Sequence, residues 1–324
     1  MALPSLAALR ERGFELIVIG KAWAPNLLQA FPEKVEIYPK KFLQRVGFLR
    51  RLAQAHQCGS ILLFTNSFSS ALEARAAGLA AIGFKHESRT LLLSDRLEQD
   101  HNIHQVRRFW LLAQKAVLVF KAGEPLATKP PDSIVFPISE SIRILALQRV
   151  KHLGGPYILL CPFATGNIKG VSKLWTSYTE LIERCRQDPA LQALHWVVCP
   201  GPNEALQPSL EALFKRAANS DENRDLPNVQ TKQLGRLCVL KNVGLLEYAA
   251  LMEAAHCVIA NDSGPSHLAA LVAKHQITIF GPGDPAETGP WSQSATVLGG
   301  KGVWSSVDQV MSAIPALSGT AARP

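Results

Sequence analysis

Residues 258–291, VIANDSGPSHLAALVAKHQITIFGPGDPAETGPW, constrain this chain more than any other stretch. An apolar run at 257–260 meets a polar break, Asn261-Asp262-Ser263-Gly264-Pro265. A helix-like segment at 266–273 and a second apolar run at 277–280 follow. Strand, tight turn, helix and strand form a βαβ unit, which requires a parallel sheet. The first turn of such a unit offers backbone N–H groups and the positive end of a helix dipole to an anionic ligand. Asp262 or Ser263 is suited to cap the helix, Gly264 permits close backbone approach, and Pro265 fits a first helical position. His267, on the first turn, points towards the same mouth. Asp-Ser-Gly-Pro is equally an ordinary capped helix start, and His267 equally a plain surface residue. These residues alone leave both readings open.

The remainder of the chain repeats the alternation. In the first part, apolar runs at 14–19, 35–38, 61–65 and 79–84 read as strands, the first and third of them buried. Helical patterns lie between and around them, at 25–31, at 42–56 (Phe42, Val46, Leu49 and Leu52 at helical spacing), from about 69, and at 103–112. Residues 123–137 hold four prolines and few periodic apolar positions, and read as a linker. Beyond it come helix 139–152, strand 157–161, a polar loop at 162–173, helix 174–185, strand 196–199, helix 206–217, helix 245–254, strand 295–298 and helix 307–314. Residues 219–228 read as an exposed polar loop and 319–324 as a frayed end. The pattern predicts an α/β chain of two Rossmann-like domains, 1–132 and 133–324, facing across a cleft.

In the second domain three loops follow strands directly: 162–173, 200–204 and 261–265. In a parallel sheet all three emerge on one edge. They bring a cation (Lys173), a carboxylate (Glu204) and a helix N-terminus to one place, a set suited to a nucleoside diphosphate with its ribose. Each residue also has a surface reading. Lys173 reads as a loop cation whose loss would leave the fold intact.

Composition narrows the partners. The formal net charge of +8 favours an anionic partner. Lys40-Lys41, Arg50-Arg51 and Arg107-Arg108 are short pairs without interleaved aromatics, which argues against nucleic acid. The six cysteines show no metal spacing and sit mostly in apolar runs, as reduced core residues of a cytoplasmic protein do. No apolar run approaches the ~20 residues that span a bilayer.

The block NDSGPSHLAAL…ITIFGPGDPAETGPW resembles the D-[ST]-G-x-x-H-x-A-A…FGxTDPxxTGP block of glycosyltransferase family 9, the heptosyltransferases. ILLCPFATGNIKGVSKLWTSYTELI resembles that family's phosphate loop, with Thr176 where the family has proline after Trp175. Pro200-Gly201-Pro202-Asn203-Glu204 resembles its G-x-x-x-E strand end. In the first half, TNSFSSALEARAAGLAAIGFKHESRTLLL and the segment from His104 to Phe109 are similar to the second heptosyltransferase type.

The resemblance implies a GT-B fold and inverting transfer of a heptose from ADP-heptose to the phosphorylated, Kdo-containing inner core of lipopolysaccharide, without a metal or other cofactor. Lys173 would neutralise the diphosphate, with Thr165 and Gly166 lining its loop. Glu204 would meet the ribose, and Asp262, Ser263, Gly264 and His267 would hold the sugar and diphosphate. Location would be cytoplasmic, with peripheral contact at the inner face of the membrane. The family opens with a strand and a Gly-Asp turn taken to supply the general base. Here residues 1–6 match the helix after that turn, so the base is expected upstream of Met1 and the N-terminal sheet is expected to carry unpaired edges. Glu87 and Asp95 are relocated-base alternatives, each also readable as a surface carboxylate. The alternatives in function are a GT-B enzyme using another nucleotide sugar, and a donor-binding protein inactive for lack of that base.

Overall fold

The structure is a computed structural model, and it describes residues 1–202, 204–219 and 236–317. The chain divides into two compact units, Met1–Ile134 and Val135–Pro324. The polar stretch 219–228, after its first residue, and the tail 319–324 lie outside the described residues.

The first unit runs α1 (Leu3–Glu11), β1 (Ile17–Gly20), α2 (Ala24–Leu28), β2 (Lys34–Ile37), α3 (Phe42–Ala55), β3 (Ser60–Leu62), α4 (Phe68–Ala76), β4 (Ala80–Phe84), β5 (Asp95–Leu97) and α5 (Gln105–Val119). All its strand pairs are parallel, but they form two sheets, β1–β2 and β3–β4–β5. β1 and β3 therefore each lack a ladder on one side. This also corrects the reading of 14–19 and 61–65 as buried strands: β1 and β3 are half-buried throughout, and only β4 is closely covered. α1, α5 and β4 supply the core cluster of Leu9, Ile82, Ala113, Ala116 and Val117, against which Leu16 and Leu62 also pack.

A polar knot fixes β2, α3 and α4. The Tyr38 hydroxyl donates to Glu73 Oε2 at 2.6 Å, and Arg45 donates to Glu73 Oε1 at 3.1 Å while lying 5.0 Å over the Tyr38 ring. Glu73 is only 1% exposed, so its charge depends on these partners. Burial, reinforced by the bond to Glu73, pushes the Tyr38 phenol above its ordinary range. Tyr38→Phe is expected to lower stability by about 1.5 kcal/mol, the worth of a hydrogen bond to a charged group. Chemical denaturation of wild type and variant checks this, and an unchanged midpoint would refute it.

The second unit contains α6 (Glu140–Val150), β6 (Tyr157–Cys161), β7 (Asn167–Ile168), β8 (Val171–Ser172), α7 (Tyr178–Gln187), β9 (His195–Val198), α8 (Pro208–Asn219), β10 (Leu237–Val239), α9 (Leu245–Ala254), β11 (Cys257–Asn261), α10 (Gly264–Val272), β12 (Gln276–Phe280), α11 (Pro285–Thr288), β13 (Ala295–Gly299) and α12 (Val307–Ala313). Six strands form one parallel sheet in the order β10-β9-β6-β11-β12-β13. β6, β9, β11 and β12 are buried at every residue, as strands covered on both faces must be, which explains their unbroken apolar runs. Tyr178, Leu181, Ile182 and Cys185 of α7 fall at helical spacing and enter the same core as Trp196, Phe214 and Val310. The order puts β6 between β9 and β11, so the loops after all three leave one edge side by side.

Candidate active site

The loop after β6 is not the plain polar loop that its composition suggests. Residues 167–172 fold into an antiparallel hairpin of β7 and β8. Lys169 (φ 51°) and Gly170 (φ 81°) both take left-handed backbone at its tip, the requirement of a two-residue turn matched to strand twist. Thr165 and Gly166 are exposed at the entry to this hairpin. Lys173 follows β8 and turns inward.

Lys173 Nζ lies 2.6 Å from Asp262 Oδ2, with the two side chains 20% and 5% exposed. This pair joins the loop after β6 to the loop after β11. A second tie runs parallel to it: Trp175 N donates to Asn261 Oδ1 at 3.1 Å. The Trp175 indole donates to Ser305 O at 3.0 Å, and Gln207 donates to Trp175 O at 2.9 Å. These contacts explain why α7 begins at Tyr178 rather than at 174, as the pattern suggests: Leu174 and Trp175 are held by the neighbouring loops instead of the helix.

The structure corrects the expected cap of α10. Ser263 is the N-cap residue, but no side chain caps the helix. Asp262 is turned to Lys173, and the Ser263 hydroxyl donates to Asn261 O at 3.2 Å. Ser266 closes the first turn by donating from its hydroxyl to Ser263 O at 2.8 Å. The positive end of α10, with Gly264 exposed and His267 half-buried on its first turn, thus stands beside the Lys173–Asp262 pair without a carboxylate cap of its own.

Glu204 sits after β9, on the same edge, but folds back on its own turn. Its Oε2 accepts from Gly201 N at 2.8 Å, and its backbone N–H donates to Gly201 O at 3.1 Å. One carboxylate oxygen is left over from that turn. Among the described residues, no hydrogen bond links Thr165 or Glu204 to the Lys173–Asp262 pair. The structure therefore brings Lys173, Asp262, Ser263 and the α10 terminus into one contact group, with Thr165, Gly166 and Glu204 on adjacent loops of the same edge.

Three positions matter here that the sequence reading passed over. Asn261, fully buried, holds the Lys173 loop through Trp175. Gly283 lies so close to Asp262 that a Cβ there would stand 2.8 Å from Oδ2. Gly281 lies against the Trp304 ring. Two glycines in GPGDP were the available signal, since close backbone approach is one of the few reasons to require that residue.

The two first-unit carboxylates named as alternatives stand apart from this group in their own surroundings. Asp95 pairs with Lys115 at 3.0 Å, and Glu87 is exposed at the start of a 3₁₀ turn, Glu87–Leu92. All six cysteines are unpaired. Burial pushes the Cys161 thiol, at the end of β6, up to about 12, so it stays protonated and inert. Among the described residues, no three His, Cys, Asp or Glu side chains are grouped to hold a metal. No described helix is long and apolar enough to cross a membrane.

The family model for glycosyltransferase family 9 (heptosyltransferase) matches residues 48–314. The chain belongs to glycosyltransferase family 9. It is thus a glycosyltransferase. It is 26% identical over 294 residues to lipooligosaccharide heptosyltransferase 2 of Haemophilus influenzae, covering 87% of this chain and 78% of that one. It is 28% identical over 296 residues to lipopolysaccharide heptosyltransferase 2 of Salmonella typhimurium, with the same coverage, 87% and 78%. Among solved structures it resembles the ADP-heptose lipopolysaccharide heptosyltransferase II of E. coli (TM-score 0.67, 22% identity, 94% of this chain and 89% of that one). It also resembles the E. coli heptosyltransferase WaaC with ADP (TM-score 0.67, 17% identity, 96% and 93%). These likenesses identify the fold of this glycosyltransferase as GT-B.

Proposed function

We propose that this glycosyltransferase moves a heptose, with inversion, from ADP-heptose to the anionic inner core of lipopolysaccharide. The observation that carries the reading is the Lys173–Asp262 pair beside the uncapped start of α10. In such a transfer the departing ADP gains negative charge as the glycosidic bond breaks. A lysine and a helix N-terminus stabilise that charge without a metal. Lys173 carries three donors, so it can keep Asp262 and still meet a diphosphate oxygen. Asp262 is then a positioning group rather than a base, because it is buried and already paired. Thr165 and Gly166 border the diphosphate, His267 and Ser263 the sugar side, and the remaining Glu204 oxygen accepts from a ribose hydroxyl. The first unit takes the acceptor. The names of the relatives support the donor and acceptor classes. The reading needs no cofactor, and it assigns the work to the cytoplasmic face of the inner membrane, where nucleotide sugars are made.

Donor profiling tests it. The purified chain, given a Kdo-bearing lipid A acceptor, is expected to release ADP from ADP-heptose at a rate at least about tenfold above any other nucleotide sugar, a specificity that one mismatched group in a pocket supplies. Transfer from a UDP-sugar alone would reassign the donor. Tight ADP-heptose binding with no turnover would make the chain a donor-binding protein.

A further inference from the structure

Helix α6 is apolar on two sides, and the second unit covers only one of them. Its inner side carries Ala146 and Val150, both buried, and packs on α9. Two arginines fix that side. Arg143 donates to both carboxylate oxygens of Glu253, at 2.7 and 3.0 Å. Arg149 donates to Lys241 O at 2.6 Å and lies 3.5 Å from Glu247 Oε1. The outer side carries Ile144, Leu145 and Leu147, exposed to 49%, 49% and 52%. A helix that is apolar all round is ordinarily covered all round. Among the described residues, the other exposed large hydrophobics of this unit are Val135, Val171 and Val303, each in a separate segment. Scattered singly, those need no partner, whereas three neighbours on one helix call for one.

The order of charges along this face says what the partner is. Glu140, Ile144, Leu147 and Lys151 follow at spacings of 4, 3 and 4, which puts them on one line along a helix. Lys151 keeps helical backbone (φ −54°, ψ −36°), so the line runs unbroken to it. Glu140 is 77% exposed, and among the described residues its one ion pair is with Arg143, at 3.8 Å. Lys151 is exposed and forms no ion pair among the described residues. The line therefore reads acid, apolar, apolar, base, and its midpoint is a centre of symmetry. A second copy laid antiparallel across it sets Glu140 on Lys151 twice and Ile144 on Leu147 twice. That is the self-complementarity of a two-fold contact. A parallel copy would set Glu140 on Glu140 and Lys151 on Lys151. A lipid surface is a poorer match, because anionic headgroups call for several cations. Arg143 and Arg149 are turned inward, which leaves Lys151 alone against Glu140.

We propose that the outer face of α6 is a self-association surface, on which two copies of this chain pair antiparallel with Glu140 of each on Lys151 of the other. The inference goes beyond the transfer reading and does not rest on it. One face of an 11-residue helix offers less area than a stable interface buries, so the dimer is weak and forms with concentration. Sedimentation velocity of the full-length protein, without sugar or lipid, is expected to show monomer at about 1 μM and a growing share of dimer towards about 200 μM. Each substitution acts twice in a two-fold dimer. Leu147→Gln is expected to raise the dissociation constant at least about tenfold. Glu140→Lys and Lys151→Glu are each expected to raise it about tenfold, by turning two attractive pairs repulsive. The double reversal, Glu140→Lys with Lys151→Glu, recreates both pairs and is expected to recover the wild-type constant. Mixing the two single variants is expected to do the same, since one copy then presents two cations to the two carboxylates of the other. All three positions are exposed, so an unchanged melting temperature of each dilute variant verifies the fold. A wild-type chain that stays monomeric throughout overturns the proposal, and vesicle binding by that monomer, lost with Leu147→Gln, would give the face to lipid instead. A dimer that keeps its constant in Leu147→Gln, or single charge variants that do not pair on mixing, overturns it as well.

Discussion

Lys173→Met is expected to slow glycosyl transfer by about two to three orders of magnitude, the range seen when one charge-stabilising donor is removed from a site. Methionine keeps the unbranched apolar stem and deletes only the ammonium. ADP affinity should fall as well, because the product carries the charge that Lys173 meets. The fold is also expected to suffer, contrary to the reading of Lys173 as a dispensable loop cation. Its Nζ sits 2.6 Å from the Asp262 carboxylate, which is 5% exposed. Removing one partner of a buried pair leaves the other charge uncompensated, at a cost of about 3 kcal/mol. For a unit of this size that corresponds to roughly 6–12 °C in melting temperature. The double variant Lys173→Met with Asp262→Asn removes both charges and should recover much of the stability while leaving transfer slow. Initial rates, calorimetric ADP binding and thermal melts on the three proteins check this. Unchanged ADP affinity in Lys173→Met would remove Lys173 from the site. Recovered transfer in the double variant would mean that Lys173 serves only to neutralise Asp262.

The second unit was the more legible half of this chain, for a physical reason. Its central strands are buried on both faces, so their apolar runs are continuous and their ends are marked by polar residues that bind or turn. Asn261-Asp262-Ser263 is such an end, and its reading as a strand-to-helix turn holds. What the turn does internally was not legible. Asp262 chooses Lys173, 89 residues earlier in the chain, over the helix terminus next to it. Only the adjacency of β6 and β11 makes that choice available. β10 and β5 escaped notice because three residues carry no periodicity. The hairpin β7–β8 escaped because its sequence is polar and its signal is backbone geometry at Lys169 and Gly170. In the first unit, β1 and β3 read as buried because their composition is apolar, yet each is an edge strand that stays half-exposed.

Gly281→Ala is expected to destabilise the second unit by about 3 kcal/mol, at the upper end of what overpacking costs. A Cβ at this position would stand 2.2, 2.4 and 2.5 Å from three atoms of the Trp304 indole. A ring cannot bend away as a flexible side-chain end can, and Trp304 itself packs on the main hydrophobic cluster of the unit. The backbone is also held, since Gly302 N donates to Gly281 O at 2.9 Å and Lys301 N to Gly283 O at 2.7 Å. Moving the loop would break those bonds. Trimming the obstacle, Gly281→Ala with Trp304→Leu, should recover part of the loss, whereas additive destabilisation in the double variant would show that the contact is not the cause. Gly283→Ala, two residues along, meets something different: Asp262 Oδ2 at 2.8 Å, with Phe280 ring carbons at 3.1 and 3.3 Å. Its least costly response is displacement of the carboxylate, which loosens the pair with Lys173. The expected signature is a smaller loss of stability with a loss of ADP affinity of about tenfold, equivalent to about 1.4 kcal/mol. One glycine then reports packing and the other reports the site, because a single loop is pressed between Trp304 on one side and Asp262 on the other.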